Sequence, residues 1–461
     1  MSTHSHIGLI AMSGVRVQNP ELLAAGLTLP GFVERSEVIA SLPSLSLLTL
    51  AALTPPTFSV EYREILDLKT AGTLPDHYDL VAITSLSAQI HEAYAVADSY
   101  RAMGTTVVMG GLHVTALPDE ALAHCDAVVI GEGEPTWPQL LDDFTRGRLA
   151  RRYQASPAGH FDLARAPVPR FDLLDPSKYN RITVQTSRGC PHRCEFCASS
   201  ILLTPAYKLK PVDKVLDEIH AIKRMWPQPF IEFADDNSFV HRNHYKALMR
   251  ALAPERLKWF TETDVSVAQD PDLLGLMRDA GCQQVLIGLE SPRRSGVGGL
   301  ETRADWKSRR VDGYLDAVRR IQSYGITVNG CFILGLDGDT PDVFDDVFRF
   351  VRESGLYEVQ VTVMTAFPGT PLHARLAADD RLLSPAAWDR CTLFDVNFQP
   401  RHMSAPELET RFRELVVRLY SREETSRRRR QFFRGLRRRR RAASRDGRVQ
   451  AGKRIEAATC P

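Results

Sequence analysis

The segment Gln185-Thr-Ser-Arg-Gly-Cys190-Pro-His-Arg-Cys194-Glu-Phe-Cys197 puts three cysteines into eight residues, directly after the β-rich run Ile182–Thr186. The spacing C-x3-C-x2-C lets one loop wrap a single inorganic body. Thiolates are soft donors suited to iron–sulfur clusters, which ordinarily take four of them. Three local cysteines leave one iron without a protein ligand, and the amine and carboxylate of a small molecule can chelate there. The competing reading is a structural zinc held by the three cysteines with His192 or another donor. Structural zinc ligands come as paired knuckles, and the chain has no second C-x2-C and no suitable histidine pair.

Outward from this loop the chain alternates strand and helix. After Ile182–Thr186 come helix Pro211–Arg224, strand Phe230–Phe233, helix His244–Leu252, strand Lys258–Thr261 and helix Pro271–Ala280. Strand Gln284–Gly288 with helix Arg310–Tyr324, strand Ile326–Leu334 with helix Pro341–Glu353, and strand Glu358–Thr365 with a short helix near Leu372–Ala378 complete the series. Six βα units predict a partial (β/α)6 TIM-type barrel over residues 181–375, with its chemistry at the C-terminal strand ends.

Before the loop, Ile7–Ala11, Phe58–Tyr62, Asp79–Thr84, Thr105–Met109 and Ala127–Ile130 are β-rich. Amphipathic stretches Ala88–Met103, Leu117–His124 and Pro135–Arg146 lie among them. Near-continuous apolar strands separated by helices predict a doubly wound, Rossmann-like parallel sheet over residues 1–150. Its ligand loops are then Ser85–Gln89, Gly110–Thr115 and Gly131–Pro135, beyond the strand ends. A proline-rich linker is expected over 151–180, and a small α-rich extension over 376–425.

At 461 residues, 44% hydrophobic and 25% charged, the chain has the composition of a soluble α/β protein. No run reaches the roughly 18 apolar residues of a membrane helix. The start lacks a basic segment followed by an apolar one, so no secretory signal is expected. The other cysteines, Cys125, Cys282, Cys331, Cys391 and Cys460, are scattered singly, which is no disulfide framework. A reducing cytoplasm is the expected location. Cys331 is expected to be a small buried strand residue, and Cys391 lies outside the barrel units. The net charge of +2 hides an asymmetry: Arg427–Pro461 holds 14 basic and 2 acidic residues, and the rest of the chain 44 and 54. The Arg-rich tail, 426–461, reads as solvated and disordered, with contact to anionic lipid or nucleic acid as the alternative. Because the body is acidic, nucleic acid is not the expected substrate.

The triad, with Phe196 just before its last cysteine and a partial barrel following, resembles the radical S-adenosylmethionine superfamily. That resemblance implies a 4Fe–4S cluster on Cys190, Cys194 and Cys197, and S-adenosylmethionine on the open iron, cleaved reductively to a 5′-deoxyadenosyl radical. It also implies an electron donor such as a flavodoxin or ferredoxin. The strand-end groups Asp235-Asp236-Asn237, Gly288-Leu-Glu290-Ser291, Gly330 to Gly335 and Phe367-Pro-Gly-Thr370 would then surround the cofactor. Phe196 and Glu290 are the foremost contacts, with Asp235, Asp236, Gly330 and Gly335 beside them. The Gly-Gly-Glu sequence that many members carry after the second strand is absent, and Asp235 or Asp236 stands in its place. The alternatives are helix capping for the two aspartates and simple turn geometry for the two glycines.

The first domain resembles the cobalamin-binding domains upstream of one large class of these enzymes. Ser85 and Leu86, Gly110 and Gly111, and Gly131 and Glu132 would border the corrinoid. The Asp-x-His-x-x-Gly pattern that offers a histidine to cobalt is absent, and His113 and His91 read as structural or surface residues. The leading expectation is a cobalamin-dependent methyltransferase acting on an unactivated carbon of a small metabolite. The alternatives are a radical cyclase or oxidoreductase without methyl transfer, and a corrinoid-binding regulatory protein.

Overall fold

The structure, a computed structural model, describes residues 5–24, 42–155, 161–203 and 206–438. Two six-stranded parallel sheets follow each other along the chain. The first contains Ser5–Met12 (β1), Phe58–Ile65 (β2), Leu80–Thr84 (β3), Thr106–Gly110 (β4), Ala127–Ile130 (β5) and Arg152–Gln154 (β6), in the order β2-β1-β3-β4-β5-β6. The reversal beside β1 is the topological switch of a doubly wound sheet. Because both faces are covered, its central strands are apolar throughout. Helix Ile90–Ala102 closes one face over Ile10, Ile83 and Met109, while Leu45–Leu53 and Trp137–Thr145 close the other over Leu9, Ala82 and Val108. The short β6 was not legible as a strand: the expected linker begins one element too early. Only three residues long, it has an exposed, buried, exposed pattern, too brief for a period to register.

Ile182–Val184 (β7) opens the second sheet. Ser187–Arg188 (β8) and Lys208–Leu209 (β9) form a small antiparallel ribbon beside it. Phe230–Ser238 (β10), Lys258–Thr263 (β11), Cys282–Glu290 (β12), Thr327–Leu334 (β13) and Glu358–Val363 (β14) complete the sheet in sequential order, β14-β13-β12-β11-β10-β7. The end strands do not pair, so the barrel is partial, as the six units predicted. Helix Val343–Ser354 shows the local logic: Val343, Val347 and Val351 are buried toward the sheet, and the helix ends at Gly355, whose φ of +70° suits glycine.

Helix Ala405–Tyr420, N-capped by the Ser404 hydroxyl, is the expected α-rich extension. The tail departs from expectation. Residues 422–438 are helical, and Arg428 is fully buried, donating to the Leu419 carbonyl at 2.7 Å. Phe432 packs against Tyr357 and Arg429 pairs with Glu358. These anchors order a segment whose composition alone reads as solvated. Residues 439–461 lie outside the described residues. Among the described residues no helix is long and apolar enough to cross a membrane.

Candidate active site

Cys190, Cys194 and Cys197 line one cavity of about 310 Å³ at the C-terminal end of the barrel strands, together with Phe196 and Glu290. The loop carrying them is fastened from three sides. Cys194 forms a β-bridge with Glu301, the Glu195 amide donates to the Leu300 carbonyl at 2.9 Å, and the Thr302 amide donates to the Arg193 carbonyl at 2.9 Å. The Glu301 carboxylate caps the amides of Arg193, Arg303 and Ala304. From the far end of the barrel, Arg375 forks onto Glu195, and the Leu372 amide reaches the Glu195 carbonyl.

Burial pushes the Cys190 thiol up to about 11 and the Cys194 thiol up to about 12, and the sulfurs raise one another. Such thiols give up their protons to a cationic metal body rather than to water. Among the described residues no three of His, Cys, Asp and Glu converge closely enough to hold a single ion, the arrangement a tetrahedral zinc requires. His192, the candidate fourth zinc donor, instead meets Asp264 at 3.3 Å and packs on Trp306. Three sulfurs spread around one cavity fit a larger cluster with an open corner.

Glu290 ends β12 at a break in its register with β13, with a φ of +62° that non-glycine residues rarely adopt. The kink aims its carboxylate into the cavity, where Lys307 pairs with it and also donates to the Gly288 carbonyl at 3.2 Å. A Cβ on Gly288 would lie 2.5 Å from a Glu290 carboxylate oxygen, so only glycine lets Glu290 fold over the strand end. Burial opposes the charge on Lys307, but Glu290 and the Cys194 sulfur outweigh it and hold the ammonium well above its usual range.

The two candidate aspartates separate. Asp235 is a buried fastener: it accepts from the amides of Thr186 and Ser187, at 2.8 and 2.9 Å, and from Ser238 and Tyr245. It does not line the cavity. Asp236 does, while accepting from the Gly189 amide at 2.7 Å and from Ser199. Neither caps helix Arg242–Leu252, whose N-cap His241 makes no side-chain bond. Gly330 and Gly335 also stand outside the cavity lining. A Cβ on Gly330 would meet Leu356, in the turn before β14, at 2.7 Å, and one on Gly335 would meet Leu408 of helix Ala405–Tyr420 at 2.8 Å, so both serve packing rather than the cavity. Cys331, expected in the core, instead lines the cavity. Cys391 is buried in the first domain's core with Trp388.

A second cavity, of about 320 Å³, lies between the first sheet and the barrel and is lined by Gly110, Gly111, Gly131, Gly133 and Glu132. Gly111 has φ +106°, and a Cβ there would meet the Thr84 hydroxyl at 2.8 Å, so bare backbone forms this wall. Such a cradle fits a flat, bulky group laid across the strand ends. Ser85 and Leu86 fall outside this lining; Leu86 is 47% exposed at the end of β3. Glu132 is bound on both oxygens, by Arg188 at 2.8 Å, Lys208 at 2.6 Å and the Phe161 amide at 2.9 Å. Arg188, two residues before Cys190, also grips Glu134 at 2.7 Å and so ties the cysteine loop to the first domain. His113 is buried between Ser87 and Glu120, with both ring nitrogens engaged, which is the structural role expected. His91 is not part of either cavity lining.

Sequence reasoning passed over Glu262. On β11 it shares the lumen-facing parity of Phe260, and a charge at that parity is the signal available. Glu262 opens onto the cluster cavity and, among the described residues, its carboxylate accepts no hydrogen bond. The residue is exposed to the open cavity, but enclosure by the surrounding barrel wall, then repulsion from Glu232, Asp236, Glu290 and Asp235, pushes its carboxyl up to about 8. The folded chain therefore holds a proton that the unfolded chain, titrating near 4.5, releases. That contribution to stability is complete below pH 4.5 and is lost as pH rises through 8. Glu262→Gln should remove it. The unfolding midpoint of the metal-free variant, relative to the parent, should climb steadily from pH 5 to 9, as read by denaturant titration. Asp339, which burial raises to about 7, is present in both proteins and cancels. Parallel profiles would refute the assignment.

Comparison with known proteins agrees with this geometry. The chain matches the radical SAM superfamily over residues 184–351, the B12 binding domain over 64–141, and a domain of unknown function over 370–458. It is 28% identical over 384 residues to bacteriochlorophyllide d C-12(1)-methyltransferase of Chlorobaculum tepidum, covering 82% of each chain. It is 27% identical over 345 residues to the C-8(2)-methyltransferase of the same organism, covering 71% of this chain and 75% of the relative. Among solved structures, the radical S-adenosylmethionine methyltransferase TsrM of Kitasatospora setae, with cobalamin and a 4Fe–4S cluster bound, shares the fold. The TM-score is 0.65 over 90% of this chain and 91% of that one, at 18% identity. The chain thus carries a radical SAM superfamily domain that follows a B12 binding domain.

Proposed function

We propose that this chain is a cobalamin-dependent radical methyltransferase acting on an unactivated carbon of a small molecule. One observation carries the reading: Asp236 lines both the glycine-walled cavity and the cysteine-lined one, so the two cofactor spaces share a wall. When bound, the cluster supplies the electron that cleaves S-adenosylmethionine and the corrinoid supplies a transferable methyl group. The protein's part is placement. Cys190, Cys194 and Cys197 would hold the cluster, and Glu290, braced by Lys307, would offer a carboxylate to the hydroxyls or amine of S-adenosylmethionine. Asp236 fixes the Gly189 amide at the start of the loop and presents its carboxylate at the junction of the cavities. Gly110, Gly111 and Gly131 let the corrinoid lie against backbone. Met364, Phe367 and Leu393 give the cluster cavity an apolar wall that excludes water from a reactive carbon centre and suits an apolar portion of the substrate. Relatives named as bacteriochlorophyllide methyltransferases favour methyl transfer over ring closure.

The test is anaerobic turnover of protein from cobalamin-fed cells, with reductant and S-adenosylmethionine. The expected result is 5′-deoxyadenosine together with a product heavier by one CH2. A product lighter by two hydrogens would establish the cyclase or oxidoreductase alternative, and no deoxyadenosine at all would remove the radical step.

A further inference from the structure

We propose that the arginine-rich face over the cysteine loop is the docking surface for an acidic, one-electron donor protein; this rests on the cluster reading above. Arg193, Arg303 and Arg309 are exposed there, and Arg242 and Arg310 stand half-buried around a hollow of about 500 Å³. Among the described residues none of the five has a carboxylate within ion-pair distance. Some other surface guanidinium groups of this protein are matched, as Arg293 is by Asp342 and Asp346. The acids nearest the hollow are already committed. Glu301 caps three backbone amides, and Asp264 accepts from His192, Asn237 and Ser266. The exposed guanidinium groups of Arg193, Arg303 and Arg309 can pair with carboxylates brought by a partner through charge-assisted hydrogen bonds.

Position gives the partner its class. Residues 300–302 pair with 193–195 of the cysteine loop, so this face is continuous with the loop's outer side. His192 and Asp264 line both the hollow and the cluster cavity, and a single layer of side chains separates them. The Trp306 ring lies between the His192 ring at 4.4 Å and the Arg310 guanidinium at 4.1 Å, giving a conjugated wall on that layer. The step is an outer-sphere transfer. The donor is oxidised by one electron, the cluster is reduced by one, and no bond or proton moves. The unpaired guanidinium groups attract an acidic partner, and continuity with the cysteine loop distinguishes this face from the arginines of helix 422–438.

The experiment uses the cluster-loaded enzyme and a purified acidic flavodoxin in its reduced form. Bleaching of the cluster absorbance is followed by stopped flow for the parent, for Arg303→Glu/Arg309→Glu, and for Arg434→Glu on the distant C-terminal helix. The double variant should bleach about tenfold more slowly or worse, and should lose the parent's dependence on ionic strength. Its affinity for oxidised flavodoxin, measured by titration calorimetry, should fall in step. Reduction by dithionite, which needs no docking, should be unchanged, and so should reduction of Arg434→Glu by flavodoxin. Equal flavodoxin-driven rates in parent and double variant would overturn the proposal, as would an equal loss in Arg434→Glu. Absence of a reducible cluster in the parent, even with dithionite, would instead overturn the reading on which the proposal rests.

Discussion

Cys194→Ala should purify as a folded chain with almost no iron or sulfide, and its 5′-deoxyadenosine formation should fall by about 10³-fold or more, a barrier increase of about 4 kcal/mol or more. Cys194 is buried, and its backbone is the segment bridged to Glu301, so its sulfur is the least able of the three to be replaced by water. With two cysteines left, the cluster loses an anchor at its most enclosed edge. The fold itself should survive. Removing one sulfur from a half-open cavity wall costs about 1 kcal/mol, and the backbone bonds of residues 193–195 to 300–302 do not involve the side chain. Cys194 belongs to neither of the first domain's core clusters, so cobalamin uptake, read from the corrinoid absorbance, should stay near the parent level. Iron, sulfide and deoxyadenosine analyses on anaerobically prepared material check the expectation. A variant retaining full cluster content would sink the assignment of Cys194 as a ligand.

The residues that sequence could and could not assign differ for a physical reason. The cysteine triad is legible because its ligands are contiguous: one loop, one spacing, one chemistry. The barrel strands are legible because both faces are largely buried, leaving runs such as residues 285–289 apolar or small. Glu290 is legible because it closes a strand, where a barrel keeps its chemistry. Lys307 is not, because it arrives from an irregular stretch between β12 and helix Tyr314–Ser323 and meets Glu290 only in three dimensions. The same holds for Arg188 and Glu132. Each belongs to a recognisable loop, but the ion pair that joins two domains cannot be inferred from either loop alone. Gly330 and Gly335 show the reverse error. A glycine near a ligand site can be demanded by a leucine on its other side. The tail errs similarly, since Arg428 counts as a surface charge in any composition but is the residue that pins the last helix.

Lys307→Met should destabilise the barrel by about 3–5 kcal/mol, the usual result of removing one partner from a buried ion pair. Lys307 is 9% exposed and Glu290 5%. Without the ammonium, Glu290 keeps a charge with no counter-ion, on a backbone already held at positive φ. Because a chain with two domains need not unfold in one step, the barrel transition is best followed by the fluorescence of Trp259 and Trp306, in urea and without metal. The diagnostic comparison is Lys307→Met/Glu290→Gln. Once the carboxylate is also neutral, no buried charge remains, and the double variant should recover more than half of the loss. A purely steric role for the lysine predicts no such recovery. The same lesion should slow cluster assembly, because Lys307 is the group that lowers the Cys194 thiol against the burial that raises it. Iron and sulfide uptake in Lys307→Met should therefore lag behind the parent at pH 7 and approach it as pH rises. Identical urea profiles for Lys307→Met and the parent would show that this pair carries no net weight in the fold.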